Sequence, residues 1–518
     1  MANKSVFAEI AGRLLPKATA TNAAAAPAYA YSDAHALAQM AMTGTFGGLF
    51  YTDPQDELDR VVALAETVDP VFLAQTAIHA RRAGHMKDMP AVLLAVLARR
   101  DPALFRAVFG RVVDTGKMLR SFVQIVRSGR TGRKSLGSAP KAMVQAWLNG
   151  ASDRALLHAA VGNDPSLADV IRMVHPKPEN PEREALFAWI VGRPCDVARL
   201  PPAVQDWLTF KATGAGAVPD VPFQMLTQLE LSTDHWAQIA CHGSWQMVRQ
   251  NLNTFHRHGV FGRAEAVAQV AALLRDREAI GKARAFPYQL MVAAQNVAAG
   301  MPREIVEALH DAMEIAARRV PEIAGAMVVC PDVSGSMTGA VTGDRKGASS
   351  VVRHVDVAAL VAASFQRVNR DCRVLPFDTE VRDVRFEPRD TILTNAERLA
   401  ALAGGGTNCS APLTWLNRRR RSPDLVVFVS DNQSWVDARA GGQGTAMMRE
   451  WEQLKRHNPK AKLVCIDIAP YGTTQVHERA DVLNVGGFSD AVFDQIATFA
   501  EGLSGPEHWV GAIGRIEI

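Results

Sequence analysis

The apolar positions of this chain follow two different rhythms. From about residue 55 to 320 they recur at helical spacing, as at Leu58, Val61, Val62, Leu64 and Ala65, the stripe that one face of an α-helix buries. Asp69-Pro70, Asp101-Pro102 and Asp164-Pro165 mark helix starts. Aspartate caps free N–H groups, and proline fits a first turn where its missing N–H is not needed. The first two starts are 32 residues apart and lead into similar text, Val71-Phe72-Leu73-Ala74 and Ala103-Leu104-Phe105-Arg106. That spacing predicts stacked helix pairs of the solenoid kind. No strand pattern stands out before residue 320, and the alanine-rich stretch 18–30 reads as a flexible lead-in.

Beyond Pro321 the rhythm changes. The apolar runs Ala326–Cys330, Cys372–Phe377, Leu425–Val429 and Leu463–Ile468 alternate with the helical patterns His354–Val368, Met447–Leu454 and Ala491–Ala500. Strand alternating with helix predicts a doubly wound parallel sheet, whose ligands bind at the carboxyl ends of the strands. The fold class is therefore α plus α/β. At 518 residues, 48% hydrophobic and 21% charged, the chain is globular and too long for one core. Its six cysteines form no Cys-x-x-Cys pair and read as free thiols of a reducing compartment. No apolar stretch reaches membrane-spanning length, and Lys4, Glu9, Arg13 and Lys17 interrupt the N-terminus. A cytoplasmic protein with no membrane partner is expected.

The net charge of +4 is unevenly spread, because residues 321–518 hold 22 Lys and Arg against 24 Asp and Glu. The basic surplus lies in 1–320, and within 101–145 nine basic residues face only Asp101 and Asp114. Arg127, Arg130, Arg133, Lys134 and Lys141 stand among Gly129, Gly132 and Gly137. Cations offer phosphate contacts, and the glycines would let a backbone come close. Arg172, His175 and Lys177 form a second cluster, and Arg249 with His256, Arg257 and His258 a third. The alternatives are solvated helix faces and, for His175, a helix cap before Pro176.

The sharpest chemistry follows the run Ala326–Cys330. Asp332-Val333-Ser334-Gly335-Ser336 sets one carboxylate and two hydroxyls in a tight turn at a strand end. Thr407 follows Gly404-Gly405-Gly406, and Asp431 follows Leu425–Ser430. An all-oxygen set suits a hard divalent cation, above all Mg²⁺. No His or Glu stands near these segments as a base, so no catalytic residue is assigned. The glycine triplet lacks the Gly-Lys-Ser/Thr ending of a phosphate-binding loop.

Asp-x-Ser-x-Ser with a distant Thr and Asp resembles the metal-ion-dependent adhesion site of von Willebrand factor A domains. The resemblance implies that Asp332, Ser334, Ser336, Thr407 and Asp431 hold the ion and leave one position for an acidic ligand. His79–Pro90, Gly132-Arg133-Lys134, Asp169–Pro178, Val248–Asn253 and Ala285-Phe286-Pro287, followed by such a domain, resemble the Ro 60 kDa autoantigen family in its bacterial branch. What this implies is a TROVE module, a ring-shaped α-solenoid of HEAT-like helix pairs with a basic hole, closed by the A domain. It further implies binding of Y-like small noncoding RNA outside the ring and of single-stranded 3′ RNA ends inside it, with an exoribonuclease as partner. The expected division is a lead-in 1–34, a TROVE ring 35–320, an A domain 321–506 and a docking tail 507–518, in a monomer. The alternation at Trp509, Val510, Ala512 and Ile513 suits a strand or a docked segment there. The chain departs from the family at 156–167, where Leu167 takes the place of a His, so part of the outer RNA surface is expected to be lost or moved. Two other readings are a protein–protein adaptor that captures an acidic partner and a metal-dependent hydrolase. The basic stretch 127–141 disfavours the first, and the missing acid/base set the second.

Overall fold

The computed structural model describes residues 15–46, 53–283, 287–341, 352–384, 386–387, 389–436, 444–504 and 507–518. The chain divides into a helical unit, Val68–Ala316 with Glu517 and Ile518, and a sheet unit, Met1–Thr67 with Ala317–Ile516.

The helical unit begins with the helices Pro70–Arg82, Asp88–Arg100, Pro102–Val112 and Gly116–Arg127. Asp69 accepts from the N–H of Val71 and Phe72, and Asp101 from those of Ala103 and Leu104, so both predicted starts hold. The third does not. Ser166 caps the helix Leu167–Val174 and forms a capping box with Asp169. A serine directly before the helix, with an acid three residues on, satisfies two donors that the more distant Asp164 cannot reach. The core of the early helices includes Phe105, Phe109 and Phe122, whose ring centroids lie 5.4 to 5.8 Å apart. All three rings are buried. The segment Ala285-Phe286 lies outside the described residues.

The sheet unit contains β1 (Ala20–Thr21), β2 (Pro27–Ala30), β3 (Met327–Pro331), β4 (Arg373–Val374), β5 (Leu425–Ser430), β6 (Lys462–Asp467), β7 (Thr473–Thr474) and β8 (Val482–Gly486). Five of these form a parallel sheet in the order β4-β3-β5-β6-β8. Successive residues of a strand point to opposite faces. Val426 and Phe428 thus enter a core with Leu413, Met448 and Trp451. Against the sheet also lies the helix His354–Val368, whose Phe365 meets Phe493 edge-on at 5.3 Å. The predicted strand at 372–377 is reduced to Arg373–Val374, with an isolated bridge between Phe377 and Asp332. Strand β8 and the helix Ile392–Ala400 carry no signal separate enough from their neighbours to be predicted.

Three expectations need correction. The alanine-rich stretch is ordered rather than a flexible lead-in: β1 pairs with β2, and β2 with β7, setting Tyr29 opposite Thr474. Short strands therefore do occur before residue 320. The division at 34/35 also fails, because the helix Asp33–Thr43 packs on β8 within the sheet unit. Its small buried residues Ala36, Ala38 and Ala41 allow close approach to that strand. Residues 1–14 of the lead-in lie outside the described residues. Finally, of the two forms expected for the tail, it is a docked segment and not a strand, and it docks chiefly on the sheet unit. His508–Gly514 is a helix with Trp509 buried against the sheet unit. The last two residues group with the helical unit, where the Glu517 carbonyl accepts from the Arg111 guanidinium.

Phe122→Ala should cost the helical unit about 3–5 kcal/mol through cavity formation. Urea unfolding followed by far-UV circular dichroism should show one early transition moving to lower urea.

Candidate metal centre and nucleic-acid interface

Sheet register assembles the oxygen cluster. Pro331 pairs with Val429, so the next residues, Asp332 and Ser430, emerge side by side. Ser430 donates its hydroxyl to Asp332 Oδ2 at 2.6 Å, and the Ser334 N–H donates to Asp332 Oδ1 at 2.9 Å. Ser334 Oγ and Ser336 Oγ stand 3.3 Å apart. The glycine loop is fastened to this turn through its backbone. Gly404 N–H donates to the Val333 carbonyl at 2.9 Å, and Gly335 N–H to the Gly405 carbonyl at 3.0 Å. Thr407 is thereby drawn to the same edge, and it is buried. Gly405 has φ +78°, and a Cβ there would lie 2.7 Å from Asp378 Oδ2, so only glycine fits. All five expected metal-site residues are thus on one edge, with Asp431 at the end of β5 accepting from the Gln433 N–H at 3.1 Å.

Electrostatics matches the donor set. Asp332 and Asp431 are 0% and 2% exposed, and no ion pair joins either to a basic side chain among the described residues. Burial raises both acids, and the nearby charge of Asp431 raises Asp332 further, to about 7. A third carboxylate, Asp467, ends β6 directly beside Ser430 in register. Burial raises it well above the carboxylate range, the Asn432 amide opposes this, and Asp431 adds to it. The hydroxyl of Tyr31 donates to Asp467 Oδ2 at 3.4 Å. Asp467 escaped the sequence reading, because it lies inside the apolar run Leu463–Ile468. Buried negative charge without a cationic partner is costly, so the residues fit a hard cation. The described residues contain no group of three His, Cys, Asp or Glu arranged to hold a metal. The donor set here is hydroxyl-rich.

In the helical unit, Arg127, Arg130, Lys134 and Lys141 are exposed and Arg133 half-buried. The intervening glycines serve the loop itself. Gly129, Gly132 and Gly137 all have φ above +70°, and side-chain atoms of Lys134, Arg99 and Arg133 already lie over them. They admit their own neighbours' side chains, which corrects the reading that they admit a foreign backbone. The second cluster joins the first. Gln145 Nε2 donates to the Val174 carbonyl at 2.6 Å and Asn149 Nδ2 to the Lys177 carbonyl at 2.8 Å. Lys141, Gln145 and Asn149 repeat every four residues on the helix Ser138–Gly150, so one helix face carries Lys141 and holds the His175–Lys177 turn. His175 is an exposed left-handed cap with φ 50°. Arg172 is exposed, donating to the Val191 carbonyl at 2.7 Å and facing Asp169 at 3.4 Å. Arg249 departs from expectation. It is 8% exposed, donates to the Gln289 carbonyl at 2.7 Å and lies over the Trp245 ring at 5.7 Å. Its guanidinium is a packing element and not an open phosphate contact. In the same region His258 stacks on Trp236 at 4.2 Å.

A cleft of about 840 Å³ also opens in the helical unit, between Arg81, Arg82, His85, Lys87 and Asp114 on one wall and Gln246, Glu278, Lys282 and Gln289 on the other. Asp114 is held by Arg81 at 2.6 Å, and Glu278 by Lys282 at 2.6 Å. The remaining lining is net basic. None of the nine expected RNA contacts lines it. The signal was present in the segment His79–Pro90, whose Arg81, Arg82, His85 and Lys87 line the cleft.

The family model described as the Ro60 vWA domain matches residues 326–500. The chain is 26% identical to RNA-binding protein RO60 of Deinococcus radiodurans, over 92% of this chain and 94% of that protein. RNA-binding protein RO60 of Caenorhabditis elegans is 22% identical, over 46% of this chain and 37% of that protein. The crystal structure of Deinococcus radiodurans RO (RSR) protein shares the fold with a TM-score of 0.59 at 22% identity, covering 91% of this chain and 100% of that one. Residues 326–500 thus match the Ro60 vWA domain, and over almost its whole length the chain is similar to RNA-binding protein RO60 of Deinococcus radiodurans.

Proposed function

We propose that this chain is an RNA-binding protein whose helical unit holds RNA and whose A domain carries a divalent-cation site that captures an acidic group. The observation that carries the RNA reading is the basic-walled cleft in a chain similar over 92% of its length to a protein named RNA-binding protein RO60. A cleft of that volume admits a single strand, and its cations contact phosphates without reading bases. The exposed face carrying Lys141, Arg172, His175 and Lys177 provides a separate surface for a folded RNA. The ligands in this reading are a Y-like small noncoding RNA on that surface and a single-stranded 3′ RNA end in the cleft. Handing such ends to an exoribonuclease in the cytoplasm would make the protein, as a monomer, a non-catalytic part of RNA quality control. The adaptor reading is favoured by one observation, the pair of buried carboxylates without cationic partners.

In the A domain, Ser334, Ser336 and Thr407 would hold the cation directly, with Asp332 and Asp431 behind them. A bound Mg²⁺ would supply an electrophilic position for an acidic oxygen.

An RNA hairpin with a single-stranded 3′ tail should bind with strongly salt-sensitive affinity in fluorescence anisotropy titrations. Absence of such binding would sink the reading. Arg133→Ala/Lys134→Ala should flatten the slope of log affinity against log salt by roughly 1–2, for two phosphate contacts, with far-UV circular dichroism unchanged. Ser336→Ala should abolish the rise in melting temperature that Mg²⁺ gives the A domain. The pH dependence has a definite sign. An acid raised from 3.8 to about 7 on folding holds its proton better in the folded state, so stability falls as pH rises across that window. A cation must displace that proton, so the Mg²⁺ shift should grow from pH 4 to about 7 and then level off. A shift independent of pH would remove Asp332 from the site.

A further inference from the structure

The A domain carries a second charged edge, opposite the metal residues. The helix Ala411–Arg418 ends in Arg418-Arg419-Arg420-Arg421, and all four side chains are exposed. Among the described residues none of the four takes part in an ion pair or a side-chain hydrogen bond. This patch lies in a segment, 321–518, that has 22 basic residues against 24 acidic ones. The nearby acid Asp424 is already engaged, accepting from the Ala326 N–H at 2.9 Å and from Asn458 at 3.2 Å. A favourable interaction with the helix C-terminus explains a basic residue in the last turn. It does not explain three more beyond the end.

The patch is also held in shape. Arg420 adopts a left-handed φ of 51°. Its N–H donates to the Asn417 carbonyl at 3.1 Å, and the Arg421 N–H reaches back to the Leu416 carbonyl at 3.0 Å, the closure of a helix C-cap. The half-buried indole of Trp415 packs on the core and carries two guanidinium groups, Arg419 at 4.2 Å and Arg373 at 5.6 Å. Arg373 opens β4, and Arg421 lies four residues before β5 begins. Both therefore stand at the amino ends of the strands, while Asp332 and Asp431 stand at the carboxyl ends. The length of β5 separates the two edges, about 20 Å at strand rise.

We propose that this edge, centred on Arg373, Trp415 and Arg418–Arg421, is an RNA-backbone site of the A domain. It rests on the reading that the chain binds RNA and adds a contact outside the helical unit. Arginine presents a planar fork that pairs bidentately with phosphate oxygens, and stacking on an aromatic ring pre-sets its direction. Four adjacent unpaired guanidiniums repel one another, and a polyanion relieves that repulsion at several points at once.

The test uses the full chain with Arg418→Gln, Arg420→Gln and Arg421→Gln combined, leaving the Trp415 stack in place. The probe is the tailed RNA hairpin substituted with 4-thiouridine. The expected result is a salt slope flatter by about 2, for three contacts, and loss of ultraviolet crosslinks to the peptide around 411–424, with the melting temperature unchanged. An unaltered slope with no crosslink in that peptide overturns the proposal. If Arg133→Ala/Lys134→Ala weakens binding and the triple variant does not, only this site fails. If the unmodified chain binds no RNA, both readings fail. An equal loss of binding to poly-L-glutamate overturns the RNA assignment in favour of an acidic protein.

Discussion

Three strand ends place Asp332, Ser430 and Asp467 in one row across the sheet, and the rest of the metal edge is arranged around that row. Two carboxylates on alternate strands would repel at this spacing. The serine between them donates to one, at 2.6 Å, and thereby settles Asp332 without settling Asp467. Asp431 adds a third buried acid one residue further along β5. Hydrogen bonds from Ser334, Gln433 and Ser430 supply dipoles but no positive charge. Such an edge suits the proposed cation, for which Ser334, Ser336 and Thr407 would be the oxygens in front of the acids.

This arrangement was legible in the sequence to the extent that its causes are local. A strand run followed by Asp-x-Ser-x-Ser predicts both the strand end and the turn, and Leu425–Val429 does the same for Asp431. Thr407 was legible because Gly404–Gly406 must form a loop. The long-range causes were not. Asp467 matters only through the parallel register of β5 and β6, and Tyr31 reaches it only because a four-residue strand, β2, pairs with a two-residue one, β7. Strands that short leave no alternation to read. The alanine-rich stretch 18–30 looks disordered by composition and is instead pinned by the pairing of β1 with β2 and of β2 with β7. Arg249 was misjudged for the opposite reason: its residue type suggests a surface, and Trp245 with the Gln289 carbonyl gives it a buried place.

The helical unit separates two kinds of positive surface. On one, the helix Ser138–Gly150 uses Gln145 and Asn149 to hold the 174–177 turn, so the positions of His175 and Lys177 follow from that helix. On the other, the cleft walls come from residues far apart in sequence, 81–114 and 246–289. A rigid outer face suits a folded RNA whose phosphates have fixed spacing. A cleft suits a flexible strand that can adjust to its walls. Phosphate contacts carry no sequence information, so discrimination between RNAs would rest on shape at the first surface and on the freedom of an end at the second.

Chemistry at the metal edge is a separate matter from binding there. A hydrolytic site needs a base whose proton affinity suits neutral pH. The histidine near Ser336 in the fold is His354, whose N–H donates to the Gly339 carbonyl just beyond the turn Gly335–Thr338. Burial lowers its pKa to about 4, which makes it a poor acceptor of a proton from water. Asp332 is no better placed, since both of its oxygens already accept hydrogen bonds. What the edge offers is a set of hydroxyls in front of unbalanced negative charge, the arrangement that the proposed capture of a cation, and through it of an acid from another molecule, requires.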